Sequence, residues 1–387
     1  MNIGITCYPT VGGSGAVAAE LGKQLARRGH EVHFVSYRLP FRLGGYTENI
    51  SFHEVDVTTY SLFEYPPHDL ALAAKMAEVA REQRLDIFHV HYAIPHAVAG
   101  ILAQSMLGPD APRLVTTLHG TDVTLVGQDR SFCEITRWGI ENSDGVTAVS
   151  DFLRRMTIEE FQVRRPIEVI HNFVDLEKHC AGRPCPDRSA FAGPDERILL
   201  HMSNFRPVKR VLDIIRVLER VRREIPAVLL MAGDGPERAS AQALARRLGI
   251  ADHVRFLGRQ DAIEELTAVA DLYLLPSELE SFGLSALEAM ACGVPVIGSD
   301  AGGMPEVVQH GETGYLLPVG DIDGMAARAL EILKDEARRR SMGRAGRRRA
   351  AALFDADRVV SQYERFYEQV LAAENTRRRE GDDACAL

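Results

Sequence analysis

The sequence predicts an α/β protein built from two doubly wound domains facing each other across a cleft. Strand-like apolar runs alternate with helical patterns along the chain, the mark of parallel sheets covered by helices on both faces. The alternation lapses once, after Asn172, in FVDLEKHCAGRPCPDRSAFAGPDE, a stretch rich in Pro, Gly, Cys and charge, as an interdomain connection should be. At 387 residues the chain can bury two cores of ordinary size.

In the first half NIGITCYP reads as a strand, a helix follows from about Ala16 to Arg28, and EVHFVS and ISFHEVDV read as strands. A helix through DLALAAKMAEVAREQ precedes four more strand runs, DIFHVHY, LVTTLHG, GVTAVS and IEVIHN. The pattern restarts at RILLHMS, with a helix from about Lys209 to Arg223, AVLLMAG, a helix through ASAQALARRLG, HVRFLG, a helix from about Ile263 to Ala270, and DLYLLPS. The segment from Glu280 to Cys292, then PVIGSD and GYLLPV, complete the second domain. Helices dominate from Asp321, and NTRRREGDDACAL reads as a frayed tail. The expected divisions are 1–173, 174–355, and a C-terminal helix with its tail over 356–387, packing back on the first domain.

Composition excludes several classes. Hydrophobic residues make up 46% and charged residues 26%, an ordinary globular balance, and no apolar run approaches the roughly 18 residues of a membrane span. The six cysteines, at 7, 133, 180, 185, 292 and 385, form no C-x-x-C pair and no ligand spacing with histidine, which suits a reduced compartment and a cytoplasmic address. A formal charge of -9 argues against a nucleic-acid partner, and the basic run RRRSMGRAGRRR (338–349) reads as the solvated face of a helix. The sequence is compatible with a homodimer. The triplets DID (321–323) and DAD (355–357) lie in the helical tail and read as solvated helix ends.

Ligands of doubly wound sheets sit beyond the carboxyl ends of the strands. After the first strand, Gly13, Gly15 and Ala18 satisfy a loose G-x-G-x-x-A pattern, but the second strand ends in Ser36, Tyr37 and Arg38 without the acidic residue that would hold a ribose. Arg38 facing a 2'-phosphate keeps an NADP-dependent oxidoreductase open. The plainer reading is a loop that lets a substrate approach the backbone at Ser14, at a helix N-terminus suited to an anion. LHGTD (118–122) brings His119 and Asp122 to a strand end. Tyr92, Thr117 and Asn172 come from other strand ends of that domain and could offer neutral hydrogen bonds to a ligand, or serve as turn and capping groups.

In the second domain, HMSNFRPVKR puts Arg206 and Lys209 at the mouth of a helix N-terminus, where two cations oppose the helix dipole and a bound polyanion would explain them. Glu280 precedes the helix LSALEAMAC and Glu288 lies on its second turn, so the pair does not share a helix face. The amides of Phe282, Gly283 and Leu284 lie between them and suit a diphosphate. Carboxylates flanking that anion would take hydroxyls, Glu280 those of a sugar and Glu288 the pair of a ribose. Together these features specify a nucleotide-sugar site; a pure sugar-binding module would gain nothing from Arg206 with Lys209.

The GGSG loop (12–15), NFRPVKR, MAGDGPE, FLGR, ESFGLSALE and GVPVIGSDAGGMPEVV together resemble the retaining glycosyltransferases of family 4, whose architecture is GT-B, two Rossmann-like domains. The resemblance covers nearly the whole chain. It implies that Arg206 and Lys209 hold the diphosphate, Glu288 the ribose, Glu280 the donor sugar and His119 its hydroxymethyl side, with uracil near Gly258, Arg259 and Gln260. Gly13, Asn204, Phe282, Gly283 and Leu284 complete the implied donor site. The implied chemistry falls to Arg206, Lys209, His119 and Glu280, and the implied acceptor contacts to Ser14, Tyr92, Thr117, Asn172 and Arg206. Within the family, CYPTVGGSGAVAAELG, HVHYAIPHA, TTLHGTDVTLVG, VIHNFVD and HMSNFRPVKRV carry a narrower resemblance, which implies transfer of N-acetylglucosamine from UDP-N-acetylglucosamine to L-malate, the opening step of bacillithiol biosynthesis. The resemblance implies no cofactor beyond these substrates and no metal. An inositol-phosphate or lipid acceptor is the alternative, though the chain shows no clear basic amphipathic helix with exposed aromatics.

Overall fold

Short apolar runs buried on both faces leave parallel strands as the natural state of this chain, and the helices between them supply the crossovers. The computed structural model describes residues 1–10, 12–57, 64–127, 129–178, 187–260 and 262–373, without the side chains of 125 and 126. Cys180, Cys185, Cys385 and the tail expected to fray, from residue 375, lie outside the described residues. The chain divides into two units, Met1–His171 joined by the chain from Asp357 onward, and Asn172–Ala356.

The first unit runs β1 (Asn2–Thr6), α1 (Gly13–Arg27), β2 (Glu31–Ser36), β3 (Ile50–Glu54), α2 (His68–Gln83), β4 (Ile87–His91), α3 (Val98–Leu107), β5 (Arg113–Leu118), α4 (Cys133–Glu141), β6 (Gly145–Ala148), α5 (Asp151–Phe161) and β7 (Ile167–Val169). Its seven strands lie in the order β3-β2-β1-β4-β5-β6-β7, with parallel pairings throughout. The order reverses between β1 and β4, and a crevice opens at such a point because the connections leave toward opposite faces. Leu72, Met76, Val79, Phe88, Val90 and Leu114 belong to the core between α2, α3 and the sheet.

The second unit runs β8 (Arg197–Ser203), α6 (Val211–Arg222), β9 (Ala227–Gly233), α7 (Arg238–Arg247), β10 (Val254–Gly258), α8 (Ile263–Val269), β11 (Leu272–Leu275), α9 (Leu284–Ala291), β12 (Val296–Ser299), α10 (Met304–Val307), β13 (Gly314–Leu317), α11 (Ile322–Lys334) and α12 (Glu336–Leu353). Its sheet has the order β10-β9-β8-β11-β12-β13, again parallel, with the reversal between β8 and β11. The helix expected to begin near Lys209 begins instead at Val211. Pro207–Lys209 form a separate 3-10 turn, and Arg210 adopts a φ of 49°, which no helix continues through.

The basic run 338–349 differs from expectation in a way that matters. Only part of it is a solvated face. Arg347 donates to the Ala291 carbonyl (2.7 Å) and Arg349 to the Val307 and Glu306 carbonyls (2.8 Å each), so α12 supplies the cations that satisfy the last carbonyls of α9 and α10. Arg339 reaches the buried Asp271 (3.4 Å) and Glu336 (2.7 Å).

The last helix, α13 (Ala356–Ala372), packs on the first unit. Arg28 pairs with Asp357 (2.9 Å) and Glu364 (2.6 Å), His30 meets Glu364 (3.0 Å), and the Tyr367 hydroxyl meets His89 Nδ1 (2.7 Å). A glycine at 145 makes the approach possible: a Cβ there would lie 2.7 Å from Val370 and 2.9 Å from Phe366. Among the described residues, no helix is long and apolar enough to cross a membrane.

Candidate active site

In the second unit the strand-end loops of β8 and β11 meet. Lys209 Nζ donates to Glu280 Oε1 (2.6 Å), and the Ser277 hydroxyl donates to the same oxygen (2.6 Å). The loops are also tied through main chain, Glu278 N–H to the Val208 carbonyl (2.8 Å). Two donors thus fix one carboxylate oxygen of Glu280, while Oε2 has no hydrogen bond among the described residues. Arg206 is exposed and its guanidinium has no partner among the described residues; the neighbouring Arg210 is consumed by Asp213 (2.6 Å). Asn204 buries a side-chain oxygen that has no partner among the described residues.

The turn Gly302–Gly303 explains why ESFG holds its shape. The Gly303 N–H donates to the Glu280 carbonyl (2.7 Å). A Cβ at Gly302, whose φ is 64°, would sit 2.0 Å from that oxygen, and one at Gly303 would sit 2.3 Å from the Ser281 carbonyl. Side chains are excluded so that the two main chains can touch. Phe282 is buried edge-on against Phe354 (5.6 Å), and Gly283 opens α9 with a φ of 98°. Glu288 is 4% exposed on α9. Gly258 ends β10, two strands from β8, and Arg259 and Gln260 follow it, both exposed.

In the first unit, α1 starts so close to the end of β1 that a Cβ at Gly15 would lie 2.7 Å from the Tyr8 carbonyl, whereas one at Gly13 meets no described atom within 4 Å. Ser14 stands on the first turn of α1. His119 follows β5, and its Nε2 meets His91 Nδ1 at 2.7 Å. Asp122 anchors the turn by accepting from the amides of Gly120 (2.8 Å), Ala93 (3.1 Å) and His119 (3.3 Å). With its oxygens so engaged and the side chain buried, Asp122 is built to hold the loop. Tyr92 packs its ring on Tyr8 (5.3 Å) and His119 (5.6 Å).

One expected acceptor contact is corrected. Thr117 is fully buried, with its hydroxyl between His89 Nε2 and Thr147 Oγ1 (2.7 Å each), so it acts inside the sheet and offers nothing to a ligand. Asn172 is also buried, with Oδ1 lacking a partner among the described residues.

Sequence reasoning did not single out His89, His91 and His96, Tyr8, or Ser277. The alternation of His89 and His91 along β4 was the available signal, since residues i and i+2 share one face of a strand. Burial pushes His89 and His119 down to about 3 and His96 and His201 down to about 4. His96 donates from Nδ1 to the His91 carbonyl (2.5 Å) and His201 from Nδ1 to the Leu274 carbonyl (2.8 Å).

An exposed arginine beside a lysine–glutamate pair at the switch point of the second unit's sheet is a setting that suits a polyanion. Residues 11–178 match Glycosyltransferase Family 4, and residues 187–349 match Glycosyl transferases group 1. The chain belongs to the family 4 glycosyltransferases. It is 52% identical over 372 residues, 96% of this chain and 97% of the relative, to the N-acetyl-alpha-D-glucosaminyl L-malate synthase of Bacillus anthracis. A GDP-mannose-dependent phosphatidylinositol monomannoside mannosyltransferase of Mycolicibacterium smegmatis is 31% identical, over 71% of this chain and 74% of its own. Among solved structures, an Anabaena protein in complex with UDP and glucose has the same fold, with a TM-score of 0.75 at 20% identity over 94% of this chain and 98% of that one.

Two predictions arise here. Gly302→Ala should lower the melting temperature and weaken UDP binding together, because the Cβ displaces the Glu280 carbonyl. Gly249→Ala, at a φ of 71° with open space around it, should cost only the roughly 1–2 kcal/mol of a left-handed residue and leave UDP binding intact. Thermal denaturation and calorimetric titration with UDP check both variants.

The second concerns pH. His89, His96 and His201 are neutral in the fold yet take a proton near pH 6.5 when unfolded. Unfolding therefore takes up protons as the pH falls from about 6.5 toward 4, and stability falls with it, by about 2 kcal/mol per ring at pH 5. A melting temperature that stays level from pH 7 to pH 5 would contradict this.

Proposed function

We propose that this chain moves N-acetylglucosamine from UDP-N-acetylglucosamine to L-malate with retention at the anomeric carbon, the opening step of bacillithiol assembly. The near full-length 52% identity to a synthase of that name carries the reading. The residues supply a coherent chemistry for it. Arg206, Lys209 and the amides of Phe282–Leu284 oppose the charge that builds on the β-phosphate as the bond to the sugar breaks, where preorganised donors in a water-poor site are worth several kcal/mol. Before the donor arrives, Glu280 neutralises Lys209 and holds it in place. Glu288 takes the ribose hydroxyls and Gly258–Gln260 the uracil. His119 meets the sugar's hydroxymethyl side.

On the acceptor side, the start of α1 at Ser14 offers amides to a carboxylate, with Tyr92 and Asn172 as neutral contacts and Arg206 as a cation. The leaving phosphate oxygen takes the acceptor's proton, so no carboxylate base is required. The reaction proceeds without a metal, and the address is cytoplasmic.

Purified enzyme incubated with UDP-N-acetylglucosamine and L-malate should give N-acetylglucosaminyl malate by mass spectrometry, with or without EDTA, while UDP and not NADPH raises the melting temperature. Glycoside formed with an inositol phosphate and none with L-malate would transfer the assignment to the acceptor class of the mannosyltransferase relative.

The division of roles makes a separate prediction. Glu288→Ala should weaken UDP binding, because ribose contacts persist through the reaction. Lys209→Ala should chiefly lower kcat, because leaving-group charge develops only in the transition state. Equal losses of UDP affinity at unchanged kcat in both variants would overturn the division.

A further inference from the structure

Three imidazoles form a column in the first unit. His91 stacks on His89 (4.5 Å, 28°), and the ring of His119 lies beyond it, nearly parallel and edge to edge (5.0 Å, 26°). His89 is held at both nitrogens, Nδ1 by the Tyr367 hydroxyl and Nε2 by Thr117 (2.7 Å each). The His91 backbone is fixed in turn by His96, whose Nδ1–H donates to its carbonyl (2.5 Å). The ring of His91 thus has little freedom, and only its Nδ1 has a partner, His119 Nε2 at 2.7 Å.

One proton lies in that contact, and burial decides which ring owns it. His91 Nε2 is buried with no partner among the described residues. A proton there would leave an orphaned N–H, the costlier of the two unsatisfied states, whereas a bare lone pair is tolerated. His91 therefore carries its proton on Nδ1 and donates it to His119 Nε2. Neutral His119 must then be protonated at Nδ1, the nitrogen with no hydrogen bond to any described residue. Burial and the neighbouring rings hold both histidines neutral.

We infer that His91 is the positioning residue of this site: without touching substrate, it fixes the tautomer and orientation of His119 so that a neutral N–H at Nδ1 is presented as a hydrogen-bond donor to a hydroxyl of the donor sugar. The inference rests on the reading of His119 as a sugar contact. It explains why a histidine suits the position: the sugar oxygen meets a hydrogen-bond donor that carries no charge.

Nitrogen-15 NMR of histidine-labelled enzyme tests the tautomer directly, with the His119 signals assigned by their loss in His119→Gln. The expected result is protonation at Nδ1 in the wild type; protonation at Nε2 overturns the inference whatever the variants do. In kinetics, His91→Leu should lower kcat/KM for UDP-N-acetylglucosamine about tenfold, the worth of one oriented hydrogen bond, with UDP affinity unchanged. His91→Asn, whose amide nitrogen stands where Nδ1 stood, should restore most of the loss, which a merely structural role would not predict. Wild-type kinetics in His91→Leu alongside an impaired His119→Ala would overturn the positioning role. Wild-type transfer by His119→Ala would instead remove the sugar contact on which the inference rests, leaving the NMR result to decide the tautomer alone.

Discussion

A main-chain hydrogen bond from the Gly303 amide to the Glu280 carbonyl governs the second unit's site. Strand-end loops of a parallel sheet have no ladder to hold them, so each needs another source of rigidity. Here one loop is pressed backbone to backbone against the next, an approach open only to residues without a Cβ. Once the main chain of ESFG is fixed, the direction of Glu280 follows, and Lys209 and Ser277 can meet one of its oxygens at 2.6 Å. The start of α9 and its amides are placed by the same contact.

The first unit solves the problem with side chains. Asp122 gathers three amides around the turn that carries His119, and imidazoles buried beside β4 and β5 replace the aliphatic packing usual in a parallel sheet. Such a column is tolerable only because its polar atoms are nearly all matched and its rings stay neutral. Tyr363 and Tyr367 of α13 close it from above, so residues far along the chain determine the environment of a strand near its beginning.

The α/β class and the existence of two sheets were legible because alternation of apolar runs and helical periods is a local signal. Residues beside the sheet ends, such as Lys209, Glu280 and His119, were legible through motif and position. What pairing alone reveals was hidden. Ser277 is an unremarkable serine until Glu280 is seen to use it. Thr117 looks like a strand-end hydroxyl until His89 and Thr147 are found on either side of it. The arginines of 338–349 resemble solvated charge because the carbonyls that Arg347 and Arg349 satisfy lie 56 and 42 positions earlier in the chain. The start of α6 was misplaced because a 3-10 turn opened by Pro207 and the left-handed Arg210 intervene, and an arginine gives no sign in residue type that it adopts a positive φ.

The docking of α13 on the first unit means that the second unit is, topologically, an insertion. The chain leaves the first unit after His171 and returns at Asp357, and the two passages are laced together by hydrogen bonds between Val174 and Phe354 (2.9 Å) and between Ala356 and Val174 (3.2 Å). Synthesis proceeds from the N-terminus, so the inserted unit has all its strands before the first unit receives its last helix. Until then His89 lacks its tyrosine, and the groove left by Gly145 is uncovered. The domain begun first is the one finished last, and a nascent chain halted near residue 355 would carry a nearly complete second unit joined to an unfinished first one.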